Sequence, residues 1–432
     1  MDRVRGRTAG AVVTAGDECL GTFGPFALDI PWWAEAESVV AHLTAALGVP
    51  VMVLRLIGVD GGEGARDGHV TYHVEAFERP RGGLLGPPPS DHGDLFRPAA
   101  RRAGWATAAG LREALEWARA SLGAADRPVT GAVRQIKTWN LAGLFRIPTS
   151  AGPAWLKTTP EFATPEASAI GLVAGVDPGI VPGVVAAEPG RGWTLLEHVP
   201  GEDCWDASPE VIRTVIGRWV AAQAALAVHV ETARTAPAEH PGATRTAPAG
   251  HPAGVPEGLP DRRLPVLAGR VRGLLDGEAA AGLTGDELSA AWRLADALPA
   301  RISAIEECGL PDTLVHADFH SGNWRSDGLR SAVVDFADSH IGHPVLDGLR
   351  VRDFRPGPHR TEREQAWISA WSARVPGSDP VRALALAEPL AHLMYAVRYQ
   401  EFLDGIETSE RIYHEGDPAV EIRAALESAH LA

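Results

Sequence analysis

The first 125 residues alternate between apolar runs typical of strands and segments with helical spacing. Strands are predicted at residues 11–14, 51–59 and 69–77, and helices at residues 34–47 and 108–122. The second and third of these strands are expected to form an antiparallel pair. No group of chemically reactive residues stands out, so the pattern predicts a small α/β module whose role the sequence does not assign.

Residues 126–199 follow a turn-rich boundary and have the pattern of a small β-rich unit. Strands are predicted at residues 133–139, 144–148, 154–157 and 193–197. The third strand ends at Lys157, and Thr164-Pro165-Glu166 then provides the N-cap and first-turn proline with which a helix begins. The last strand runs into a Pro-Gly turn, which is typical of a linker.

Residues 200–432 are mainly helical in pattern. A long amphipathic helix is predicted from Ser208, and further helices are predicted at residues 261–275, 284–308 and 380–403, with T-x-x-E starts at Thr284 and Thr361. Aromatic residues recur there at helical spacing, which core packing explains first; they are Trp367, Trp371, Tyr395, Tyr399 and Phe402. Residues 232–260 contain a nearly duplicated Pro- and Ala-rich segment that cannot bury a core, so a mobile insertion is predicted.

Composition narrows the possible partners. The 432 residues include 40 Lys and Arg against 55 Asp and Glu, and the net charge of -15 argues against nucleic-acid and anionic-membrane partners while being compatible with a cationic substrate. Cys19, Cys204 and Cys308 are too far apart in the chain for a disulfide framework, which fits a reducing cytoplasm. No apolar stretch is long enough to cross a bilayer or to form a signal sequence. We therefore expect a cytoplasmic protein.

The strongest chemical signal lies between Leu314 and Asp338. The run L-V-H-A-D-F-H-S-G-N places Asp318 at the start of a loop and Asn323 after four intervening residues, which is the H-x-D-x-x-x-x-N spacing of a kinase catalytic loop. A second apolar run then delivers Asp335 in D-F-A-D, where a kinase has D-F-G. Asp318 is suited to accept a hydroxyl proton, and Asn323 and Asp335 offer hard oxygen ligands for Mg²⁺.

Two other interpretations of these residues are open. Asp and Asn are favoured in turns for their side-chain hydrogen bonds, so Asp318 and Asn323 would then only cap a turn, although three matched polar positions argue against coincidence. In a metal hydrolase, His316, Asp318 and His320 would alternate as transition-metal ligands, but this leaves Asn323 and Asp335 unexplained. We expect His316 to be a buried ring that braces the loop, and His320 to lie near phosphate.

At these residues the chain resembles the aminoglycoside phosphotransferase and choline kinase family, small-molecule kinases with the fold of protein kinases. The family loop is H-G-D-x-H-x-x-N, so Ala317 stands where glycine is common, a small change that should not disturb the carboxylate. The segment I-G-H-P-V-L-D, which ends at Asp347, is similar to the family's G-x-P-x-x-D segment, whose aspartate generally has a structural role. The resemblance covers roughly residues 127–432.

The resemblance implies an α+β, bilobal, protein-kinase-like fold. The small β-rich N-lobe would comprise residues 126–199 and the large helical C-lobe residues 200–432, with the α/β module at residues 1–125 in front of them. Such kinases use ATP and Mg²⁺ and act on a small molecule.

The resemblance also implies roles for residues outside the catalytic loop. Lys157 would bind the α and β phosphates of ATP, and Glu166 would orient it, with Glu161 as the rival partner. The turn T-W-N-L-A-G lacks the G-x-G-x-x-G of protein kinases; Asn140 is expected to approach the phosphates there, and a plain hairpin turn is the alternative. Backbone groups from Glu197 to Val199 would bind the adenine edge at the hinge.

The predicted function is transfer of the γ-phosphoryl group of ATP to a hydroxyl of a small molecule, such as an aminoglycoside-like antibiotic or an amino sugar. Glu401, Asp404 and Glu407, beside the aromatic residues of the last predicted helix, would form an acidic wall for a cationic acceptor. The alternatives are a metabolic kinase of a sugar or choline-like alcohol, and a nucleotide-binding regulatory protein without catalysis. Acceptor recognition lies in variable surfaces, so the motif does not name the acceptor.

Overall fold

The structure is a computed structural model that describes residues 6–235, 258–355 and 357–431. These residues form a mixed α+β protein with two compact units. The first unit contains the described residues up to Ala163 together with Val185–His198 and Phe402–Glu415, and the second contains Thr164–Val184, Val199–Glu401 and the described residues from Gly416. Most of the insertion predicted at residues 232–260 lies outside the described residues.

The N-terminal part of the first unit is a four-stranded sheet with two helices. Its elements are β1 (Arg7–Ala15), β2 (Glu18–Leu28), α1 (Glu37–Leu47), β3 (Val51–Asp60), β4 (His69–Ala76) and α2 (Ala108–Ala124). The strand order is β2-β1-β4-β3, in which β1 and β4 are parallel and the other neighbours antiparallel. The predicted antiparallel pair, now β3 and β4, is confirmed. Strand β2 was not predicted, because glycines and a proline interrupt its apolar pattern.

A five-stranded sheet follows along the chain. Its strands are β5 (Arg134–Trp139), β6 (Ala142–Thr149), β7 (Gly152–Thr158), β8 (Val184–Glu188) and β9 (Trp193–Glu197), with α3 (Glu166–Ala174) between β7 and β8 in sequence. The strand order is β5-β6-β7-β9-β8, which makes β7 the central strand. The four predicted strands are confirmed, whereas β8 was missed. Asn140 and Leu141 alone connect β5 to β6, so this connection is a tight hairpin.

The two sheets share a hydrophobic cluster inside the first unit. Met52 of β3 and Leu111 of α2 are buried in the same cluster as Phe145 of β6, Leu156 of β7 and Leu195 of β9. Full burial of such a side chain contributes about 1.5–3 kcal/mol. The N-terminal residues therefore help to form the core that supports the five-stranded sheet.

The second unit is mainly helical and contains two small sheets. Its elements are β10 (Glu202–Asp203), α4 (Pro209–Thr235), α5 (Leu264–Leu275), α6 (Gly285–Glu306), β11 (Thr313–Val315), β12 (Trp324–Ser326), β13 (Ser331–Val333), β14 (His340–Gly342), α7 (Val345–Asp353), α8 (Arg360–Arg374), α9 (Pro380–Gly405) and α10 (Asp417–Leu431). One sheet has the order β10-β12-β13, and the other is the antiparallel pair β11 and β14. No described helix combines the length and apolar character needed to cross a membrane.

Helix starts in the second unit follow some of the predicted signals. The capping box is present: Thr284 Oγ1 accepts the N–H of Glu287 at 3.2 Å, and Glu287 Oε2 accepts the N–H of Thr284 at 2.7 Å. Thr361 is not a cap, because α8 begins one residue earlier and no side chain caps it. Trp367 and Trp371 of α8 are fully buried, which confirms core packing as the explanation of their spacing.

Candidate active site

The predicted catalytic loop begins where β11 ends, at the buried residue His316. Its Nε2 lies 3.1 Å from the carbonyl oxygen of Val334, and its Nδ1 accepts the N–H of Asp318 at 3.3 Å. Burial lowers the pKa of His316, so the ring is neutral and carries its proton on Nε2. The prediction of a buried, bracing ring is confirmed. Because both ring nitrogens bind protein groups, His316 does not have the arrangement of a metal ligand.

Asp347, in the first turn of α7, holds this loop from within the second unit. Its Oδ1 accepts the N–H of Ala317 at 2.9 Å, and its Oδ2 accepts the N–H of His316 at 3.0 Å. Oδ2 also accepts side-chain N–H groups from Trp219 and Gln223, both at 2.9 Å. Burial raises the pKa of Asp347, and these donors oppose the increase. Four donors on one buried carboxylate agree with the structural role that the resemblance implies.

Two residues of the site have a left-handed backbone conformation without being glycine. Ala317 and Asp335 both have φ = 70°, a conformation that costs a residue with a Cβ atom about 1–2 kcal/mol. Glycine avoids this cost, which explains why the family loop commonly has glycine at the position of Ala317. The carbonyl of Ala317 accepts the hydroxyl of Tyr395 at 3.1 Å, so the strained turn is also held from α9.

Asp318 has more partners than the motif predicts. Its Oδ1 accepts two N–H groups of Arg350, from Nε at 2.8 Å and from Nη2 at 2.6 Å. Its Oδ2 accepts the amide of Asn323 at 2.9 Å and lies 3.3 Å from His320 Nε2. Burial acts to raise the pKa of Asp318, but Arg350 and His320 outweigh it and hold the pKa well below its usual value. Sequence reasoning missed Arg350, because it lies 32 residues downstream on α7 and belongs to no motif.

Asn323 joins the catalytic loop to the D-F-A-D segment. Strands β12 and β13 pair antiparallel, and the N–H of Val334 donates to the carbonyl of Asn323 at 2.8 Å. The exposed residue Asp335 is therefore adjacent to this pairing. The Asn323 side-chain amide donates to the carbonyl of Asp318 at 3.0 Å and to its carboxylate, which leaves Asn323 Oδ1 as the atom suited to a cation. Two hard oxygen donors on neighbouring segments fit Mg²⁺.

Glu166, at the start of α3, contacts the same segment. Its Oε1 accepts the N–H of Phe336 at 2.7 Å, and Glu166 is buried whereas Glu161 is exposed. Thr164 is not the helix cap that was predicted: Pro165 occupies the cap position, and Thr164 Oγ1 donates to the carbonyl of Ser339 at 2.6 Å. The start of α3 is therefore bonded to the residues that follow Asp335 instead of being capped by its own side chain.

The other predicted ATP-binding residues lie on or just after the five-stranded sheet. Lys157 is buried on the central strand β7, Glu197 is the last residue of β9, and Val199 follows two residues later. The geometry gives no support to the prediction for Asn140, whose side chain is buried and donates to the carbonyl of Glu410 at 3.4 Å. The two-residue connection and this contact agree with the plain-turn alternative.

The acidic wall predicted for a cationic acceptor is not confirmed. Glu401 and Glu407 both form ion pairs with arginines, while Asp404 is exposed. The partners are Arg262, Arg270 and Arg398 for Glu401, and Arg55 and Arg102 for Glu407. Glu407 belongs to the first unit, where it is buried. The prediction was wrong for these two residues because their charges are already neutralised.

Comparison with known proteins identifies the same family that the loop residues resemble. Residues 145–350 match the family model APH, described as a phosphotransferase enzyme family. This part of the chain belongs to that family. The matched segment contains Lys157, the catalytic loop and the D-F-A-D segment, so the family recognised from the loop is confirmed. The enzyme class, a phosphotransferase with an alcohol group as acceptor, is confirmed with it.

Solved structures that align with the chain include kinases of several acceptors. A protein from Thermobifida fusca, provisionally assigned as a fructosamine-3-kinase, is 20% identical over 72% of this chain and 98% of its own, with a TM-score of 0.47. A choline kinase from Streptococcus pneumoniae is 13% identical over 74% and 99%, with a TM-score of 0.47. An ADP-bound aminoglycoside phosphotransferase is 14% identical over 73% and 98%, with a TM-score of 0.44. A search of curated proteins gave no match. These similarities do not decide the acceptor.

Proposed function

We propose that the protein is an ATP- and Mg²⁺-dependent small-molecule kinase with a protein-kinase-like fold. The observation that carries this proposal is the 2.9 Å hydrogen bond between Asn323 and Asp318, together with the backbone bond between Val334 and Asn323 that brings Asp335 beside them. Phosphoryl transfer is catalysed mainly by positioning and by compensation of phosphate charge. A carboxylate base next to two hard oxygen ligands provides the groups that this reaction needs.

In the proposed reaction, Asp318 accepts the proton of the acceptor hydroxyl. The acceptor oxygen forms a bond to the γ-phosphorus while the bond from that phosphorus to the bridging oxygen of ADP breaks, so the products are a phosphate ester and ADP. Asn323 and Asp335 would hold Mg²⁺, which compensates phosphate charge when bound. From the resemblance, Lys157 would bind the phosphates and Glu166 would orient Lys157. The backbone of residues 197–199 would bind adenine.

Asp318→Asn tests the assignment of the base. A positioned general base contributes about 10²–10⁴-fold, so turnover should fall by at least about 100-fold while calorimetry shows ATP binding in the presence of Mg²⁺ to be retained. Asp335→Asn should instead weaken the Mg²⁺-dependent part of ATP binding. The control is Asp353→Asn. Asp353 is an ion-paired residue at the end of α7, and its side chain is 43% exposed. Full turnover by Asp318→Asn would contradict the assignment.

A panel of acceptors separates the remaining alternatives. Aminoglycosides, amino sugars, neutral sugars, choline-like alcohols and hydroxy acids are offered with ATP, and phosphorylated products are identified by mass spectrometry. A product only from sugars or choline-like alcohols would support the metabolic kinase. ATP binding without a product from any acceptor would support the nucleotide-binding regulatory protein.

A further inference from the structure

A guanidinium group lies against one carboxylate oxygen of Asp318, the residue proposed above as the base. The Cζ atom of Arg350 is 3.7 Å from the ring centroid of Phe354 and 4.8 Å from that of Tyr395, so two aromatic faces hold the cation. Both N–H groups that Arg350 donates to Asp318 reach the same oxygen, Oδ1. This arrangement neutralises the catalytic carboxylate and occupies its Oδ1 atom before any acceptor arrives.

The aromatic residues continue away from Asp318 along the catalytic loop. His320 stacks on Phe354 with ring centroids 4.3 Å apart and on Trp205 with centroids 5.2 Å apart. Arg355 Cζ lies 5.1 Å from the ring centroid of Trp205. We call these residues the basic aromatic cluster; its members are Arg350, Phe354, Tyr395, His320, Trp205 and Arg355. The cluster therefore places two arginines and four rings next to the reaction centre.

The charges at this position favour an anion over a cation. A cationic acceptor group brought to Asp318 would find the carboxylate already paired with Arg350, so little net negative charge is left there to attract it. Asp338 does not supply a compensating charge, because it is paired with Arg398 at 2.6 Å. Glu202, Asp203 and Asp206 lie near Trp205 in sequence but are exposed, so solvent screens them. A carboxylate or phosphate would instead match the planar donor fork of Arg350.

We propose, on the basis of the function proposed above, that the acceptor is a hydroxylated acid whose carboxylate or phosphate group binds Arg350. When the acid binds, its anion takes N–H groups of Arg350 that are otherwise donated to Asp318 Oδ1. Oδ1 is then open to the hydroxyl that is phosphorylated. A hydroxyl compound without an anion leaves Arg350 bound to Asp318 and is a poorer acceptor for this reason. The same exchange makes the enzyme selective for charge.

The test compares acceptors that differ only in charge. Glycerate, gluconate and 4-(hydroxymethyl)benzoate are each compared with the corresponding amide and amine, using the full-length protein. Phosphoryl transfer and calorimetric affinity are measured for the parent, Arg350→Gln, Arg350→Lys and Arg360→Gln. Arg360→Gln is the control. Arg360 is an exposed arginine at the start of α8, and it forms an ion pair with Asp353 of α7 at 2.9 Å.

For the parent we expect at least one acid to be preferred over its amine by about 10- to 100-fold in kcat/KM or affinity, as for a hydrogen-bonded charged pair. Arg350→Gln should abolish this preference, mainly by raising the KM of the acid. Arg350→Lys should keep part of it, because the charge remains while the fork is lost. Arg360→Gln should keep all of it. Melting curves check that each variant is folded. If Arg350→Gln does not fold, the test relies on Arg350→Lys instead.

Failure of this proposal can be distinguished from failure of the proposed function. If no acceptor is phosphorylated but acids bind selectively and lose that selectivity in Arg350→Gln, the kinase proposal fails and the acid-binding site is supported. If amines or amides are phosphorylated as efficiently as acids, or if none of the acids binds, the acid proposal is overturned and the kinase proposal is judged by product formation alone.

Discussion

Replacing Asp347 by alanine would show how much one buried carboxylate contributes to the catalytic loop. The substitution removes the acceptor for four N–H groups: the backbone N–H groups of His316 and Ala317, and the side-chain groups of Trp219 and Gln223. The amide of Gln223 also donates to the carbonyl of Leu314 at 2.9 Å. Gln223 therefore keeps one acceptor, whereas the other three N–H groups lose the acceptor that Asp347 provides. All three belong to buried residues.

The magnitude follows from the number of donors left without an acceptor. Each buried donor without an acceptor costs about 1–3 kcal/mol, so three predict a loss of about 3–9 kcal/mol, reduced by relaxation and by removal of a buried charge. This is a large part of the roughly 5–15 kcal/mol by which a typical domain is stable. Asp347→Asn keeps one oxygen that can accept three of the donors and leaves the N–H of Ala317 facing an amide. It should lose only about 1–3 kcal/mol.

Urea denaturation followed by tryptophan fluorescence, together with turnover, measures both effects. Asp353→Ala is the matched control, because it removes an aspartate from the same helix whose side chain is 43% exposed. Its less exposed partner Arg352 keeps a second ion pair with Glu388, so we expect a loss of only about 0–1 kcal/mol. We expect the order of stability to be the parent and Asp353→Ala, then Asp347→Asn, then Asp347→Ala, with turnover following the same order. If Asp347→Ala were as stable as Asp353→Ala, the reasoning about the buried donors would be refuted.

Two further predictions concern other parts of the chain. Burial and the neighbouring Glu407 raise the pKa of Glu410 to about 8 from 4.5, so the contribution of Glu410 to stability is complete below the unfolded value and is lost as the pH rises through about 8. Glu410→Gln should therefore gain stability relative to the parent as the pH is raised in thermal melts, and a constant difference would contradict this. In Gly322→Ala the new Cβ atom would lie 2.3 Å from the ring of Trp205, so the indole must move; we expect altered fluorescence and a higher acceptor KM, and a parental KM would count against this contact.

The predicted catalytic loop is recognisable from sequence because its contacts are local. Asn323 reaches Asp318 across a short loop, and the pairing of β12 with β13 brings Val334 back to Asn323. For residues this close in the chain, their spacing in the sequence largely determines how near they lie to one another in the structure. The strands at residues 51–59 and 69–77 were predictable for a similar reason, because apolar periodicity determines which face of a strand is buried. Strand β2 was missed because glycines and a proline interrupt its apolar pattern.

Charge pairing between distant residues was decided only by the tertiary structure. Glu407 was assigned to an acceptor wall, but Arg102, 305 residues away in the chain, binds it in the first unit. Arg350 likewise reaches Asp318 from α7 without any motif to mark it. A buried charge must find a partner, and no local pattern states which one it finds. The sequence by itself therefore determined the class of chemistry, whereas the charge left to recognise an acceptor depends on which side chains the fold brings together.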